Sequence, residues 1–317
     1  MRNNAGQHLC IGLPGSELTP ATRRLLKTVQ PGGIVLFTRN VDSADQLRAL
    51  TRSLRADLPA RPIIAIDQEN NRVNRLRAII GELPSLATVK QTGNAEEFGR
   101  AIGHSLRDLG IDLDFAPVLD LELFDAQTDN ALRDRCWGRT AAEVVRLAGA
   151  FITGLESTGV AACPKHFPGL GASTQDSHEQ LPTITRRREQ LLAEDVRPFA
   201  ELAPRLSALM VSHGHYVAFD GQKPKPASLS PVIIGELLRR QLGFTGLVMT
   251  DDMEMGAITK SGDFANAVTG AIQAGADMVL VCHSPEKILA AHEALAKTKI
   301  PAQSAQRLEK FRAKWIR

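Results

Sequence analysis

The residues of this chain that could do chemistry are densest in the run KHFPGLGASTQDSH, which begins at Lys165 and ends at His178. The apolar segment 160–164 precedes it and predicts a strand, so Lys165 and His166 would stand at that strand's end. The loop that follows carries Asp176 two residues before His178. A carboxylate at this spacing can orient an imidazole and stabilise its charged form. The run therefore indicates proton transfer, with His178 as the proton carrier and Asp176 as its partner.

Polar residues also follow other apolar segments. Asp251 comes directly after Leu-Val-Met-Thr, and a carboxylate held rigidly at a strand end can act as a nucleophile. The alternative is that Asp251 caps the next helix, whereas Asp252 is expected to point away or to bond the loop backbone. His213 and His215 form an H-x-H pair that raises the possibility of a metal site, but the carboxylates show no matching metal-ligand spacing.

Eight short, almost continuously apolar segments predict strands that are buried on both faces. Amphipathic segments alternate with them, and this order is typical of a (β/α)8 barrel. Such a barrel gathers its catalytic residues at the carboxyl ends of its strands. A doubly wound sheet is the competing architecture, but the early GLPG turn does not match a dinucleotide fingerprint. The predicted strands are 9–12, 33–37, 63–66, 113–116, 160–164, 208–212, 247–250 and 278–281.

Capping signals predict several of the helices between the strands. Ser43 would cap a helix that carries Leu47, Leu50 and Leu54 on one face. Thr140 and the glutamate three residues later form a capping box. The absence of a linker or a composition break predicts one domain over 1–317, with a C-terminal helix at about 302–316 on the outside of the barrel.

Composition narrows the function classes. The chain has 317 residues, 43% of them apolar and 23% charged, which favours a folded domain over disorder. A net charge of +3 with only 4% aromatic residues gives no sign of nucleic-acid binding. No apolar run approaches the roughly 20 residues of a membrane span, and no signal peptide is evident. Four widely spaced cysteines without a C-x-x-C pair predict free thiols in a reducing compartment, and we expect a cytoplasmic monomer.

Six segments, in order along nearly the whole chain, resemble glycoside hydrolase family 3, and in particular its single-domain β-N-acetylglucosaminidase branch. The segments are GGIVLFTRN, AIDQENNRVNRL, DFAPVLDL, KHFPGLGASTQDSH, PASLSP and GFTGLVMTDDMEM. The lysine-histidine run that ends in Asp-Ser-His is a specific marker of this branch.

The resemblance implies a (β/α)8 barrel without a metal or cofactor, acting on a small carbohydrate or muropeptide. It implies that Asp251 is the nucleophile that forms a glycosyl-enzyme, that His178 is the general acid/base, and that Asp176 is its dyad partner. It further implies a set of residues that hold the sugar hydroxyls, namely Asp67, Arg75, Arg135, Lys165 and His166. The implied activity is that of a retaining exo-β-N-acetylglucosaminidase.

Three departures from the family pattern concern substrate preference. Asn70 and Asn71 stand where family members usually carry two glycines, so two side chains would narrow the pocket or require different backbone angles. Leu170 replaces a common histidine, and Cys136-Trp137 replaces a usual Ser-Phe.

These features leave alternatives open. One is a family 3 β-glycosidase with another sugar preference, or a glycoside phosphorylase that transfers the sugar to phosphate. Another is a metal-dependent barrel hydrolase that uses His166, His213, His215 and Asp251. A third is a sugar-binding homologue without activity, which the Asn70-Asn71 change would explain.

Overall fold

The computed structural model describes residues 5–124, 131–173, 175, 177, 179–260 and 262–316. The strands are β1 (Leu9–Gly12), β2 (Gly33–Leu36), β3 (Ile63–Ile66), β4 (Leu113–Asp114), β5 (Ala161–Ala162), β6 (Thr183–Ile184), β7 (Ala208–Val211), β8 (His215–Tyr216), β9 (Leu247–Asp252) and β10 (Met278–Val281). The eight predicted strands all form and join one parallel sheet, whose order is β5-β4-β3-β2-β1-β10-β9-β7. Compared with the predicted ranges, β2, β4, β5 and β7 are shorter, and β9 is two residues longer, so that it includes Asp251 and Asp252.

Hydrogen bonds beyond the end of β5 close the sheet into a barrel. The Met210 amide donates to the Pro164 carbonyl at 2.9 Å, and the Phe167 amide donates to the Met210 carbonyl at 2.9 Å. These bonds join the chain after β5 to β7, the strand at the other edge of the sheet. The (β/α)8 barrel prediction is therefore confirmed. The two remaining strands, β6 and β8, pair in parallel with each other in a separate small sheet.

Helices follow the strands and cover the barrel. They are α1 (Pro20–Val29), α2 (Ala44–Asp57), α3 (Arg77–Ile80), α4 (Leu86–Thr92), α5 (Ala95–Asp108), α6 (Ala141–Glu156), α7 (Arg188–Gln190), α8 (Arg197–Leu202), α9 (Val217–Asp220), α10 (Gly256–Thr259), α11 (Phe264–Ala274), α12 (Pro285–Ala296) and α13 (Ala302–Trp315). Two π-helical segments, Leu191–Asp195 and Val232–Gln241, and four short 3-10 turns complete the elements.

The predicted caps form because their side chains satisfy amide groups that the first helical turn leaves unpaired. The Ser43 hydroxyl accepts from the Gln46 amide at 3.2 Å at the start of α2. Thr140 and Glu143 form the reciprocal capping box that begins α6. None of the helices in the described ranges is long and apolar enough to cross a membrane.

The C-terminal helix α13 closes the amino-terminal end of the barrel. The prediction that it lies on the outside is wrong: Leu308, Phe311 and Trp315 are buried in the same cluster as the inward-facing strand side chains. Polar residues of α13 bond to residues that directly precede strands. For example, Lys314 donates to the hydroxyl of Ser207, just before β7, at 3.0 Å. Burial of these apolar side chains fixes the floor of the barrel, so the opposite, carboxyl end is left for the site.

Candidate active site

A cavity of about 770 Å³ opens at the carboxyl ends of the barrel strands. Its wall includes residues that follow six different strands of the barrel, as expected for an active site in this fold. The six predicted site residues that the structure describes all line it, because the parallel strands bring their ends to one rim. The predicted residues on its wall are Asp67, Arg75, Arg135, Lys165, His166 and Asp251.

A buried network of charges forms one wall of the cavity. Lys165 Nζ lies 2.5 Å from Asp67 Oδ1 and 2.7 Å from Glu69 Oε1. Arg135 binds the same glutamate through two parallel bonds of 2.8 Å, from Nε to Oε2 and from Nη2 to Oε1. Two cations thus share two carboxylates, and this pairing is what allows charges to be buried at all. Such fixed donors and acceptors can bind several hydroxyl groups of one sugar ring.

The pKa directions show that Glu69, Lys165 and Arg135 stay ionised. Burial alone would raise the pKa of Glu69, but the charges of Arg135 and Lys165 outweigh it and lower that pKa. Burial opposes the charged form of Lys165 as well, yet Asp67 and Glu69 raise its pKa. The pKa of Arg135 is raised by Glu69 against the same opposing effect of burial. The network therefore offers charged hydrogen-bonding groups across the neutral pH range.

Asp120 orients His166. Its Oδ2 atom lies 2.6 Å from His166 Nδ1, which donates to the carboxylate, and its Oδ1 atom accepts from the Leu170 amide at 2.7 Å. Asp120 has no exposed surface, so the ring is held by a fixed partner. His166 itself lines the cavity. Peptide bonds Lys165–His166 and Phe167–Pro168 are both cis.

Asp251 stands at the carboxyl end of β9 and lines the cavity. Its Oδ1 atom accepts from the Asp252 amide at 2.8 Å, which fixes the carboxylate against the strand. Asp252 accepts from the Glu254 amide at 3.0 Å, as the expected loop contact requires. Of the two alternatives for Asp252, the bond to the loop backbone is therefore confirmed. Asp252 does not point away from the site, since it also lines the cavity, where His283 Nε2 lies 3.3 Å from its Oδ2.

The H-x-H pair does not assemble a metal site in the described part of the chain. Buried His213 accepts from the Ser228 hydroxyl at Nδ1 (2.7 Å) and donates from Nε2 to the Asp252 carbonyl (3.0 Å). Burial lowers its pKa, so the ring is neutral with both nitrogens in use. His215 Nδ1 accepts from the Lys225 amide at 3.2 Å. Within the described ranges, no group of three or more histidine, cysteine, aspartate or glutamate side chains could hold a metal ion.

Asp176 and His178 lie outside the described residues, so the predicted dyad stays a prediction. Their described neighbours Gln175, Ser177 and Glu179 line the cavity. The loop that carries the predicted acid/base therefore borders the same cavity as Asp251.

The asparagines that replace the usual glycines do not line the cavity. Asn70 is 3% exposed, and its amide donates to the Asp134 carbonyl at 3.1 Å. Neither asparagine is among the described non-glycine residues with a positive φ. The expectation that these side chains narrow the pocket is wrong, whereas the expectation that they require backbone angles different from those of the usual glycines stays a prediction. The backbone here accepts a side chain, and the Asn70 side chain turns toward a neighbouring loop.

Sequence reasoning did not assign roles to Glu69 and Asp120, although both belong to quoted segments. Glu69 ends the Asp-Gln-Glu triplet, and Asp120 is the polar residue that closes the apolar run FAPVL. Phe37 and His283, whose ring centroids are 5.4 Å apart, also line the cavity. A polar residue directly after a strand was a usable signal for Glu69 and His283, whereas nothing in the sequence pairs Asp120 with His166.

Comparison with known proteins identifies the family of this chain. Residues 5–310 match the family described as "Glycosyl hydrolase family 3 N terminal domain". A β-hexosaminidase of Pseudomonas aeruginosa is 37% identical over 310 residues, which cover 96% of this chain and 91% of the relative.

Two solved structures share the fold. NagZ from Neisseria gonorrhoeae, in complex with N-trifluoroacetyl-D-glucosamine, has a TM-score of 0.84 and 32% identity over 96% of this chain and 89% of its own. A family 3 β-N-acetylglucosaminidase from Paenibacillus has a TM-score of 0.93 and 34% identity, over 99% of this chain but 62% of the longer Paenibacillus chain. The family match spans the barrel and every described site residue, so this chain belongs to glycosyl hydrolase family 3.

Proposed function

We propose that this protein is a retaining exo-β-N-acetylglucosaminidase. The observation that carries the proposal is that Asp251 shares one cavity with the charged network of Lys165, Asp67, Glu69 and Arg135. A nucleophile and a set of groups that bind the sugar hydroxyls are two of the parts that glycoside hydrolysis requires, beside a general acid/base. The names of the P. aeruginosa and Paenibacillus relatives, β-hexosaminidase and β-N-acetylglucosaminidase, support the choice of sugar.

The proposed reaction begins with attack of the Asp251 carboxylate on the anomeric carbon. Protonated His178 gives its proton to the glycosidic oxygen as that bond breaks, so the leaving sugar departs as an alcohol. The neutral imidazole then removes a proton from water, which displaces Asp251 and regenerates both groups. Two inversions at one carbon give net retention. Asp176 would raise the pKa of His178 by charge pairing and so keep enough of the acid form near neutral pH.

The charged wall would bind the terminal sugar. Lys165 and Arg135 present N–H donors, and Asp67 presents a carboxylate acceptor with 18% of its side chain exposed. His166 would add a further contact, since Asp120 fixes the orientation of its ring. Arg75 stands on the same wall, 5.7 Å from the centre of the Phe37 ring. The bound pose would hold the anomeric carbon against Asp251, and this positioning is a large part of catalysis.

A panel of aryl β-glycosides tests the activity. The N-acetylglucosaminide should be cleaved faster than the glucoside, and NMR of the first product should show the β anomer. Faster cleavage of the glucoside, or an α product, would contradict the proposal. Addition of inorganic phosphate separates the phosphorylase alternative, because phosphorolysis would yield a sugar 1-phosphate in place of the free sugar. Treatment with a chelator separates the metal-dependent alternative, since our proposal predicts no loss of activity.

The assignment of the nucleophile is tested by trapping. A fluorinated sugar that slows the second step should leave a covalent adduct on the peptide that contains Asp251, as found by mass spectrometry. The Asp251→Asn variant should form no adduct, and Asp263→Asn, at an exposed helix cap, should be labelled like the wild type. Label on any other residue would refute the assignment.

The acid/base is tested by His178→Ala. A positioned acid/base contributes about 10² to 10⁴ in rate, so kcat should fall by that factor with substrates whose leaving group needs a proton. An activated leaving group such as dinitrophenol needs less protonation and should restore most of the first step. Equal losses for good and poor leaving groups would argue against His178 as the acid.

The finer assignments belong to the same proposal. The natural substrate would be a muropeptide or another small carbohydrate with a terminal β-N-acetylglucosamine. A cytoplasmic location is supported by the four cysteines, all of them buried free thiols. We expect a monomer, which sedimentation would test.

A further inference from the structure

Three consecutive contacts join the loop after β3 to the turn that carries Arg135. We call residues 67–76 the β3 loop and residues 131–135 the Arg135 turn. Glu69 of the β3 loop binds the Arg135 guanidinium, and Asn70 donates from Nδ2 to the Asp134 carbonyl at 3.1 Å. Arg72 Nη1 lies 3.8 Å from the Asp134 carboxylate in a looser, exposed contact. Among these residues, Asn70 is both buried and neutral, and it replaces a glycine that is usual in the family.

The Asn70 side chain bonds at both ends. Its Oδ1 atom accepts from the Arg72 amide at 2.8 Å, which closes a tight turn in its own loop. Its Nδ2 atom reaches the other loop, and the residue is 3% exposed. A glycine at this position could make neither bond. The side chain is therefore a fixed bridge between the two loops, and it stands where family members usually carry a glycine.

The residue that Asn70 contacts has an unusual backbone. Asp134 has a φ of 61°, the left-handed region that costs a non-glycine residue free energy unless its surroundings hold it there. Asp134 directly precedes Arg135, whose amide donates to the Leu132 carbonyl at 3.0 Å and whose Nη1 donates to the Ala131 carbonyl at 3.1 Å. A bond to the Asp134 carbonyl therefore restrains the backbone from which the Arg135 side chain starts.

We infer that Asn70 is a positioning residue, which holds the Arg135 turn against the β3 loop and so fixes the Arg135 guanidinium on the sugar-binding wall. The inference rests on the proposed function, because Arg135 is taken to bind the terminal sugar. A residue that acts through a ligand of the sugar should change the affinity for substrate more than the chemical step, because uniform binding alters KM and leaves kcat unchanged.

The role of Asn70 is tested by the kinetics of three variants on the aryl N-acetylglucosaminide, namely Asn70→Ala, Asn70→Asp and Asn71→Ala. Asn70→Ala should raise KM about fivefold, the factor that corresponds to one neutral hydrogen bond, with kcat changed less than twofold. Asn70→Asp keeps the acceptor for the Arg72 amide but cannot donate to Asp134, so it should behave like Asn70→Ala. Asn71→Ala is the control, since Asn71 contributes only a 3.4 Å side-chain contact to exposed Arg77.

Amide hydrogen exchange in the free protein gives a readout that needs no activity. Exchange at residues 131–135 should be faster in both Asn70 variants than in the wild type and in Asn71→Ala. Unchanged KM and unchanged exchange in Asn70→Ala would overturn the inference. Wild-type behaviour of Asn70→Asp would also overturn it, because the turn in the β3 loop would then be the important contact. A wild-type protein inactive on the substrate would refute the proposed function, and the exchange result would still decide whether Asn70 holds the turn.

Discussion

Replacing Glu69 by glutamine would test whether the buried charged network holds both the fold and the site. Glu69 is 4% exposed and accepts three bonds, one from Lys165 and two from Arg135. Glutamine has the same shape but one acceptor oxygen and no charge. In Glu69→Gln the new amide group would face an Arg135 N–H at the site of a 2.8 Å bond, and two cations would share the single remaining carboxylate of Asp67.

The expected loss of stability follows from these contacts. Breaking a buried ion pair by removing one partner costs about 3–5 kcal/mol, and we expect the lower end because Asp67 still compensates Lys165. At about 2–4 °C per kcal/mol for a large domain, a loss of about 3 kcal/mol should lower Tm by roughly 6–12 °C. The pKa of Glu69 is lowered against the effect of burial, so its stabilisation is fully present above the unfolded pKa of about 4.3. The difference in Tm should therefore be the same at pH 6 and pH 8.

Glu69→Gln should lose activity as well as stability. A hydrogen bond to a charged group is worth about 1.5–3 kcal/mol, so kcat/KM for the aryl N-acetylglucosaminide should fall roughly 10- to 150-fold. Glu82→Gln is the matched control, because Glu82 pairs with Arg77 at 2.6 Å but is 64% exposed. An exposed pair contributes little, so its Tm and kinetics should be close to wild type. If Glu69→Gln were as stable and active as Glu82→Gln, the network would not have the role that its burial indicates.

Two further predictions concern the supporting structure. Burial raises the pKa of Asp195 to about 7, although the charge of Arg186 opposes this shift. The folded protein therefore favours the protonated acid, and the resulting contribution to stability is fully present below about pH 4 and is lost as the pH rises through 7. Asp195→Asn removes this dependence, and its stability relative to wild type should increase by about 2–3 kcal/mol between pH 5 and pH 8 in urea titrations. Phe311→Ala should cost about 3–5 kcal/mol in the same assay, because Phe311 of α13 is buried against the barrel interior.

Either prediction can be contradicted by the same assay. A parallel pH dependence of wild type and Asp195→Asn would contradict the pKa assignment of Asp195. Lys310 lies on the exposed side of α13, so the control substitution Lys310→Ala should change stability little. Wild-type stability of Phe311→Ala would mean that α13 does not close the barrel floor as described.

The barrel and its caps could be predicted from the sequence because they depend on local patterns. Strands buried on both faces need apolar runs, and helix starts need side-chain acceptors such as Ser43 and Thr140. The polar residues after Ile66 and Thr250 could likewise be assigned to one rim, since parallel strands all point their carboxyl ends the same way. The hydrophobic periodicity of a helix does not show which part of the molecule the helix packs against. The sequence therefore could not show that α13 covers the end of the barrel and not its outer wall.

The sequence by itself determined which residues stand at the strand ends, and so which chemical groups the rim carries. Only the tertiary structure decided how those groups pair: that Asp120 orients His166 from 46 positions away, that Arg135 and Lys165 share Glu69, and that Asn70 turns toward Asp134 rather than into the cavity. The physical reason is that these pairs join separate loops, and their distances are set by barrel closure and not by the local chain.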